Sequence, residues 1–221
     1  PSNNRINLMT FRPKYYLSIL GLFASTIYTI SPVQANDGGL YESIIDPNLS
    51  FIRVVMSNDE TPTIAGKSLS DADGAISPYL ATNPGDVAIT LGSARGQIST
   101  ESGNFYTVML DEDGSTKVFE DEIGKSPAKA SLFVYNLTSK PDLDLFVPKA
   151  KRNALSDIDE GVSKSVSIKA PLKLAFSVKF GDDVLAEVPQ VSLKRGGSVA
   201  IVIMDNEQGV EAFVVDGAIT K

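Results

Sequence analysis

The chain has 221 residues, 20 bases against 27 acids for a net charge of −7, and neither histidine, cysteine nor tryptophan. Without histidine and cysteine there can be no Ser-His-Asp triad, no thiolate nucleophile, no zinc site of the usual kind and no disulfide. The acidic balance argues against nucleic acid as a partner.

Residues 1–35 read as a secretory signal peptide with upstream sequence before Met9. Arg12 and Lys14 supply a basic start, residues 17–30 an apolar stretch, and Val33-Gln34-Ala35 a small-residue cleavage signature before Asn36. Fourteen apolar-rich residues, diluted by Ser18, Ser25, Thr26 and Thr29, are short for a membrane span. No cysteine follows them to carry a lipid anchor. Export across the inner membrane or beyond is the expectation. Removing that segment leaves 186 residues, with 17 bases and 27 acids. The charge is uneven: residues 36–125 hold 5 bases and 15 acids, whereas 126–221 hold 12 of each. Such asymmetry suggests different partners for the two halves.

Beyond the signal segment, helical periodicity is nearly absent. Short β-branched and aromatic runs at 51–56, 87–91, 105–110, 132–137, 162–168, 172–180, 199–204 and 212–215 predict strands. Turn chemistry separates them at Asn83-Pro84-Gly85, Glu101-Ser102-Gly103-Asn104, Asp111-Glu112-Asp113-Gly114, Gly181-Asp182-Asp183 and Arg195-Gly196-Gly197. In the fourth turn set's preceding strand, Leu174, Phe176, Val178 and Phe180 alternate with Lys173, Ser177 and Lys179, which predicts one buried face. Gly114 is expected at positive φ in a hairpin turn.

These runs repeat. Ser50 to Asn58 resembles Ser131 to Ser139, and Leu69-Ser70-Asp71-Ala72-Asp73 resembles Leu155-Ser156-Asp157-Ile158-Asp159. Gly85 to Gly92 matches Pro171 to Gly181, and Phe105 to Leu110 matches Val199 to Met204. The offset drifts from 81 residues at Ser50 and Ser131 to 95 at Met109 and Met204. A repeat this long is a domain in itself. The expected fold is all-β: two tandem antiparallel β-sandwiches, jelly-roll or Ig-like, over 36–120 and 131–221, with a short linker at 121–130.

Candidate chemistry is sparse. Asp71-Ala72-Asp73-Gly74 and Asp111-Glu112-Asp113-Gly114 resemble the opening of a calcium loop, but neither is followed by the bidentate glutamate at the required spacing. Asp157 to Gly161 recurs at the place of the first cluster, which favours a turn feature over a metal site. No Gly-x-Ser-x-Gly elbow, phosphate loop or dinucleotide fingerprint occurs, so no catalytic, cofactor or metal residue is assigned. The candidate contact residues are basic: Lys149, Lys151, Arg152, Lys194 and Arg195 could meet an anionic polymer or an acidic protein, against the plainer reading of a solvated strand face.

Gly39-Leu40-Tyr41, Ser50-Phe51-Ile52-Arg53-Val54, Ser131 to Leu137, and Val191 to Gly197 leading into 199–204 together resemble the AlgF family of alginate biosynthesis proteins. That resemblance implies a periplasmic accessory protein for O-acetylation of alginate at mannuronate hydroxyls. It implies partners among the acetyltransferase components of the periplasm and inner membrane, with alginate itself a further candidate. It implies no catalytic residues, and therefore an adaptor rather than an enzyme. A periplasmic binding module for an anionic polysaccharide is the alternative, and an acetyltransferase using Ser and Asp without His is a third.

Overall fold

The computed structural model describes residues 45–56, 60–69, 75–111 and 113–220. The expected signal peptide, Gly39-Leu40-Tyr41 and the cluster at 71–74 lie outside the described residues. No described helix is long and apolar enough to cross a membrane.

β-Branched and aromatic runs broken by Gly, Asn and Asp turns have one way to satisfy their backbone, namely sheets whose apolar faces meet. Four sheets form. The first orders β17 (Ile219–Thr220), β4 (Tyr79–Thr82), β1 (Ser50–Val54), β7 (Phe105–Leu110) and β8 (Thr116–Glu120). The second orders β3 (Lys67–Ser68), β2 (Thr63–Ile64), β5 (Gly85–Leu91) and β6 (Ala94–Thr100). The third orders β12 (Ser163–Lys169), β9 (Lys129–Leu137), β15 (Ser198–Asn206) and β16 (Gly209–Asp216). The fourth orders β11 (Arg152–Ile158), β10 (Leu143–Val147), β13 (Leu172–Phe180) and β14 (Asp183–Leu193). The all-β sandwich expected from the sequence is what these sheets make. Most pairs are antiparallel, but β1 with β7, β9 with β15 and β17 with β4 run parallel.

The repeat is visible as topology. Setting β17 aside, the order β4-β1-β7-β8 recurs as β12-β9-β15-β16, and β3-β2-β5-β6 recurs as β11-β10-β13-β14. The register of the motif match shifts, however. Pairing Ser50 with Ser131 would set Ile52 against Phe133, yet Ile52 faces the core of its own sandwich and Phe133 faces out of its own. With a side-chain period of two, matching the strands one residue out of register inverts every side chain, so the true correspondence is displaced by one. Met109 and Met204 do share the outward face.

Each sandwich has its own core. Ile52, Val54, Ile89 and Val108 belong to the first, and Leu132, Val134, Phe176 and Ile201 to the second. A third core joins them. Val55, Ile76 and Phe119 pack with Phe133, Tyr135, Ala200 and Val202, so β1 and β9 are buried on both faces. The segment 121–130 is consequently no free spacer. Asp121 is buried, Gly124 donates its N–H to Ser131 Oγ at 2.9 Å, and β9 has already begun at Lys129. The last strand, β17, adds itself to the first sheet, and Ile219 packs against Phe51, Tyr79 and Phe105. The chain from Ile44 onward is thus one compact unit.

Several strands escape a periodicity reading. β6 (ARGQIST) offers little apolar surface, and β14 contains Pro189. Proline is tolerated there because β14 is an edge strand and the register shifts between Leu174 and Phe176, where the extra residues bulge. In β13, Leu174, Phe176 and Val178 face the core as expected, but Phe180 is 41% exposed. It occupies the last rung beside the Gly181 turn, where Lys140 Nζ sits 5.7 Å from its ring. Gly114 has φ 87°, and an added Cβ would lie 2.7 Å from the Arg95 carbonyl oxygen, so both backbone and space demand glycine.

A shared core couples the two halves. Urea unfolding followed by far-ultraviolet dichroism and tyrosine fluorescence should show one cooperative transition, and Phe133→Ala should cost about 3–5 kcal/mol. Two separable transitions would contradict the coupling.

Candidate functional site

The most concentrated polar chemistry lies inside the third core. Alternation along β1 puts Ile52 and Val54 into the first sandwich, and therefore turns Arg53 toward the neighbouring sheet, where it is 1% exposed. Its Nε donates to Thr107 Oγ1 at 2.8 Å and its Nη2 to Tyr135 Oη at 2.8 Å. The same Nη2 lies 3.4 Å from Asp121 Oδ2. Asp121 Oδ2 also accepts from Tyr79 Oη at 2.6 Å and from Thr107 Oγ1 at 2.5 Å, and its Oδ1 accepts from Tyr135 Oη. The guanidinium carbon stands 4.2 Å over the Tyr79 ring centroid. Across the parallel pairs, Arg53 faces Thr107 and Tyr135 faces Val202, each two residues before the matched methionines. Arg53 and Tyr135 therefore occupy equivalent places in the two copies and meet across the joint.

The electrostatics follow from burial. Desolvation pushes the phenols of Tyr79 and Tyr135 above the ordinary tyrosine value, with the Arg53 charge pulling the other way. Burial also works against the charge on Arg53, but Tyr79, Tyr135 and Asp121 together hold its pKa above the ordinary value. Thr107 and Asp121 have the spacing of a nucleophile and its base. Thr107 is fully buried, however, and its hydroxyl is committed to Arg53 and Asp121. The cluster is a clamp between sheets.

Beside it lies an open crevice of about 680 Å³, lined in part by Asn104, Glu120, Glu122, Lys125, Ser165 and Ser167. Its two glutamates make it a poor receptor for a polyanion. The acidic turn at 111–114 is engaged locally: Ser115 N–H donates to Asp113 Oδ1 at 2.8 Å and Ser115 Oγ to Asp111 Oδ2 at 2.9 Å. Asp157, at φ 54°, donates its N–H to Asp144 Oδ1 at 3.1 Å. Among the described residues no group of three or more carboxylates is placed to hold a metal ion.

The five basic residues singled out in the sequence are all exposed. Lys149 lies in the short 3-10 turn Pro148–Ala150, Lys151 caps that turn at φ 51°, and Arg152 opens β11. Lys194 and Arg195 sit in the turn between β14 and β15. Lys194 Nζ is 3.3 Å from Asp216 Oδ2, and Arg195 Nε donates to the Ala170 carbonyl at 3.1 Å. The clamp residues were not singled out from sequence. The available signal was Arg53 itself, a lone charge within the run Phe51 to Val55, on the same face as Phe51 and Val55.

Fold and site define a tandem β-sandwich protein whose halves are joined through a shared core and through the Tyr135 hydroxyl on a buried ion pair. The sequence model of the family described as alginate O-acetyl transferase AlgF matches residues 27–200. The chain belongs to the AlgF family. Among its relatives is the alginate biosynthesis protein AlgF of Pseudomonas fluorescens, 26% identical over 207 residues, covering 88% of this chain and 91% of the relative. That of Azotobacter vinelandii is 25% identical, covering 84% and 83%. A solved structure of the C-terminal domain of AlgF from P. aeruginosa aligns with 40% of this chain and 98% of its own, at 21% identity and a TM-score of 0.36.

Breaking the clamp on one side strands a buried charge. Asp121→Ala should cost about 3–5 kcal/mol in urea unfolding, and adding Arg53→Met should recover part of that loss. Additive losses would contradict the pairing. The two phenols set an alkaline limit. Their folded pKa values are raised, so their contribution is intact below the unfolded tyrosine value of about 10 and is lost as pH climbs toward the folded values. Stability should decline above that pH, and less steeply in Tyr79→Phe.

Proposed function

We propose that this chain is a non-catalytic accessory protein for O-acetylation of alginate, acting in the periplasm during exopolysaccharide biosynthesis. Its relatives are named for alginate biosynthesis, and its family is described as an alginate O-acetyl transferase. The observation that carries the non-catalytic reading is the burial of Thr107 and Asp121. That hydroxyl–carboxylate pair is closed between two sheets, and the exposed pairs Ser99–Asp86, Ser115–Asp111 and Ser139–Asp205 have no histidine anywhere in the chain to serve as general base. An acetyl transferase must bring a nucleophile, a base and oxyanion donors to a surface that donor and acceptor can reach.

An adaptor needs something else, namely separate surfaces held at a fixed separation. The third core and the Arg53 clamp supply the rigidity, and the acidic first half and balanced second half supply unlike surfaces. Holding acetyl-transfer components together raises their effective concentration without any chemistry from the adaptor. The basic stretch and apolar run before Val33-Gln34-Ala35 suit delivery across the inner membrane.

Deleting the gene should lower the acetyl content of the secreted polymer while leaving polymer yield largely intact. Unchanged acetylation would overturn the accessory role. The purified protein should give only background turnover with an acetyl donor and alginate, and turnover above background would overturn the non-catalytic reading.

A further inference from the structure

Residues 126–221 hold twelve bases and twelve acids, a balance that hides how the fold sorts them. Successive strands of the second sandwich reverse direction, so its turns alternate between two ends. At one end β9 begins at Lys129, directly opposite Lys169 at the end of β12. β10 runs antiparallel to β13 from Leu143 beside Phe180 to Phe146 beside Ser177, so the 3-10 turn carrying Lys149 continues toward Leu172. Leu172 pairs with Leu193, which brings Lys173 and the Lys194-Arg195 turn to that same end. Two hydrogen bonds tie the sheets together there: Arg195 Nε to the Ala170 carbonyl, and Gly196 N–H to the Lys129 carbonyl at 2.8 Å. Eight of the twelve bases thus collect at one end. The opposite end, with the turns and strand ends at 138–144, 157–162, 180–184 and 205–211, collects ten of the twelve acids. Asp216 is the second sandwich's one acid at the basic end, and Lys194 takes it.

We propose that this basic end, formed by Lys149, Lys151, Arg152, Lys173, Lys194 and Arg195, docks a carboxylate-bearing polysaccharide chain. Charge complementarity carries the choice. A linear polyuronate repeats its carboxylates along an extended backbone, and three separate turns present their cations across the width of one sheet end. Arg195 is oriented by its bond to Ala170, and Lys149, Lys151 and Arg152 project from a single tight turn and the strand it feeds. The acids at the far end, together with Glu120 and Glu122 in the crevice, repel the same chain from the rest of the surface. The choice of polyuronate rests on the family reading above; the polarity of the sandwich does not.

The test is retention of the purified full chain on immobilised polyuronate, at low and at physiological ionic strength. It uses no acetylation component, so its failure leaves the accessory role standing, and failure of that role leaves the binding measurable. Wild type should bind and weaken by at least about tenfold as salt rises, since exposed charges are screened beyond about 8 Å at physiological strength. Lys149→Glu with Arg152→Glu and Lys173→Glu should abolish retention while the thermal melt is unchanged. Lys67→Glu with Lys140→Glu and Lys179→Glu, an equal change of charge away from the basic end, should retain most of it. Undetectable or salt-independent binding by wild type would overturn the proposal, as would equal loss in both triple variants. Binding to anionic-lipid vesicles but not to polyuronate would also overturn it, by assigning the same cations to a membrane surface.

Discussion

Arg53 is the constraint on which the rest depends. A guanidinium with 1% of its surface exposed cannot be left unpaired without heavy loss, because removing a lone charge from water costs a large share of a domain's stability. Its partners come from both halves: Thr107 from β7, Asp121 from the chain just past β8, and Tyr135 from β9 of the second sandwich. The first half thus supplies the charge and its counter-ion, and docking of the second sandwich adds the Tyr135 hydroxyl, which bonds to Arg53, Thr107 and Asp121. Apolar surface would press two sheets together at many angles. The directional bonds of the Tyr135 hydroxyl to the buried Arg53–Asp121 pair select among those angles.

Around that point the packing is consistent. Phe51 stacks on Phe105 with centroids 4.4 Å apart, Tyr79 meets Phe105 edge-on, and Phe119 meets Tyr135 edge-on. Aromatic rings thus surround the charge on the first-sandwich side and seal the second. The C-terminal strand reaches back to the first sheet and adds Ile219 to the same aromatic group. A duplicated β-sandwich has in this way become a single body with two unlike outer regions, a mechanical property suited to holding partners at a set distance.

Rigidity and charge placement together explain why polarity at one end of the second sandwich has meaning. On independently swinging domains a cluster of lysines would sample many directions. On a fixed body it points one way relative to the acidic first half, so the field of the whole protein has a fixed direction.

Much of the architecture was legible in the linear chain. The strand runs at 105–110 and 172–180 appear at those bounds, the five turn sets fall at strand junctions with Gly85 and Asp183 already opening the next strand, and the repeat of about 80 residues returns as matched sheet orders. Local side-chain stereochemistry and turn preferences are sufficient for this, since they depend on neighbours a few residues away. Weakly apolar strands such as β6, and β14 with its proline, were not legible, because the partner strands and not the local residues hold them. The clamp escaped for a related reason. Arg53, Asp121 and Tyr135 lie up to 82 residues apart; strand pairing in the first sheet brings Asp121 to Arg53, and only the docking of a second sheet brings Tyr135 to both. The basic residues were visible as a list, and the composition of 126–221 was correctly balanced, yet composition has no direction. Which end of a strand a lysine occupies is decided by the alternation of chain direction from strand to strand. The sequence alone therefore determined the elements, the duplication and the absence of the usual catalytic groups; tertiary structure alone decided that the copies share a core, that a buried charge sets their register, and that the net-neutral half is polar from end to end.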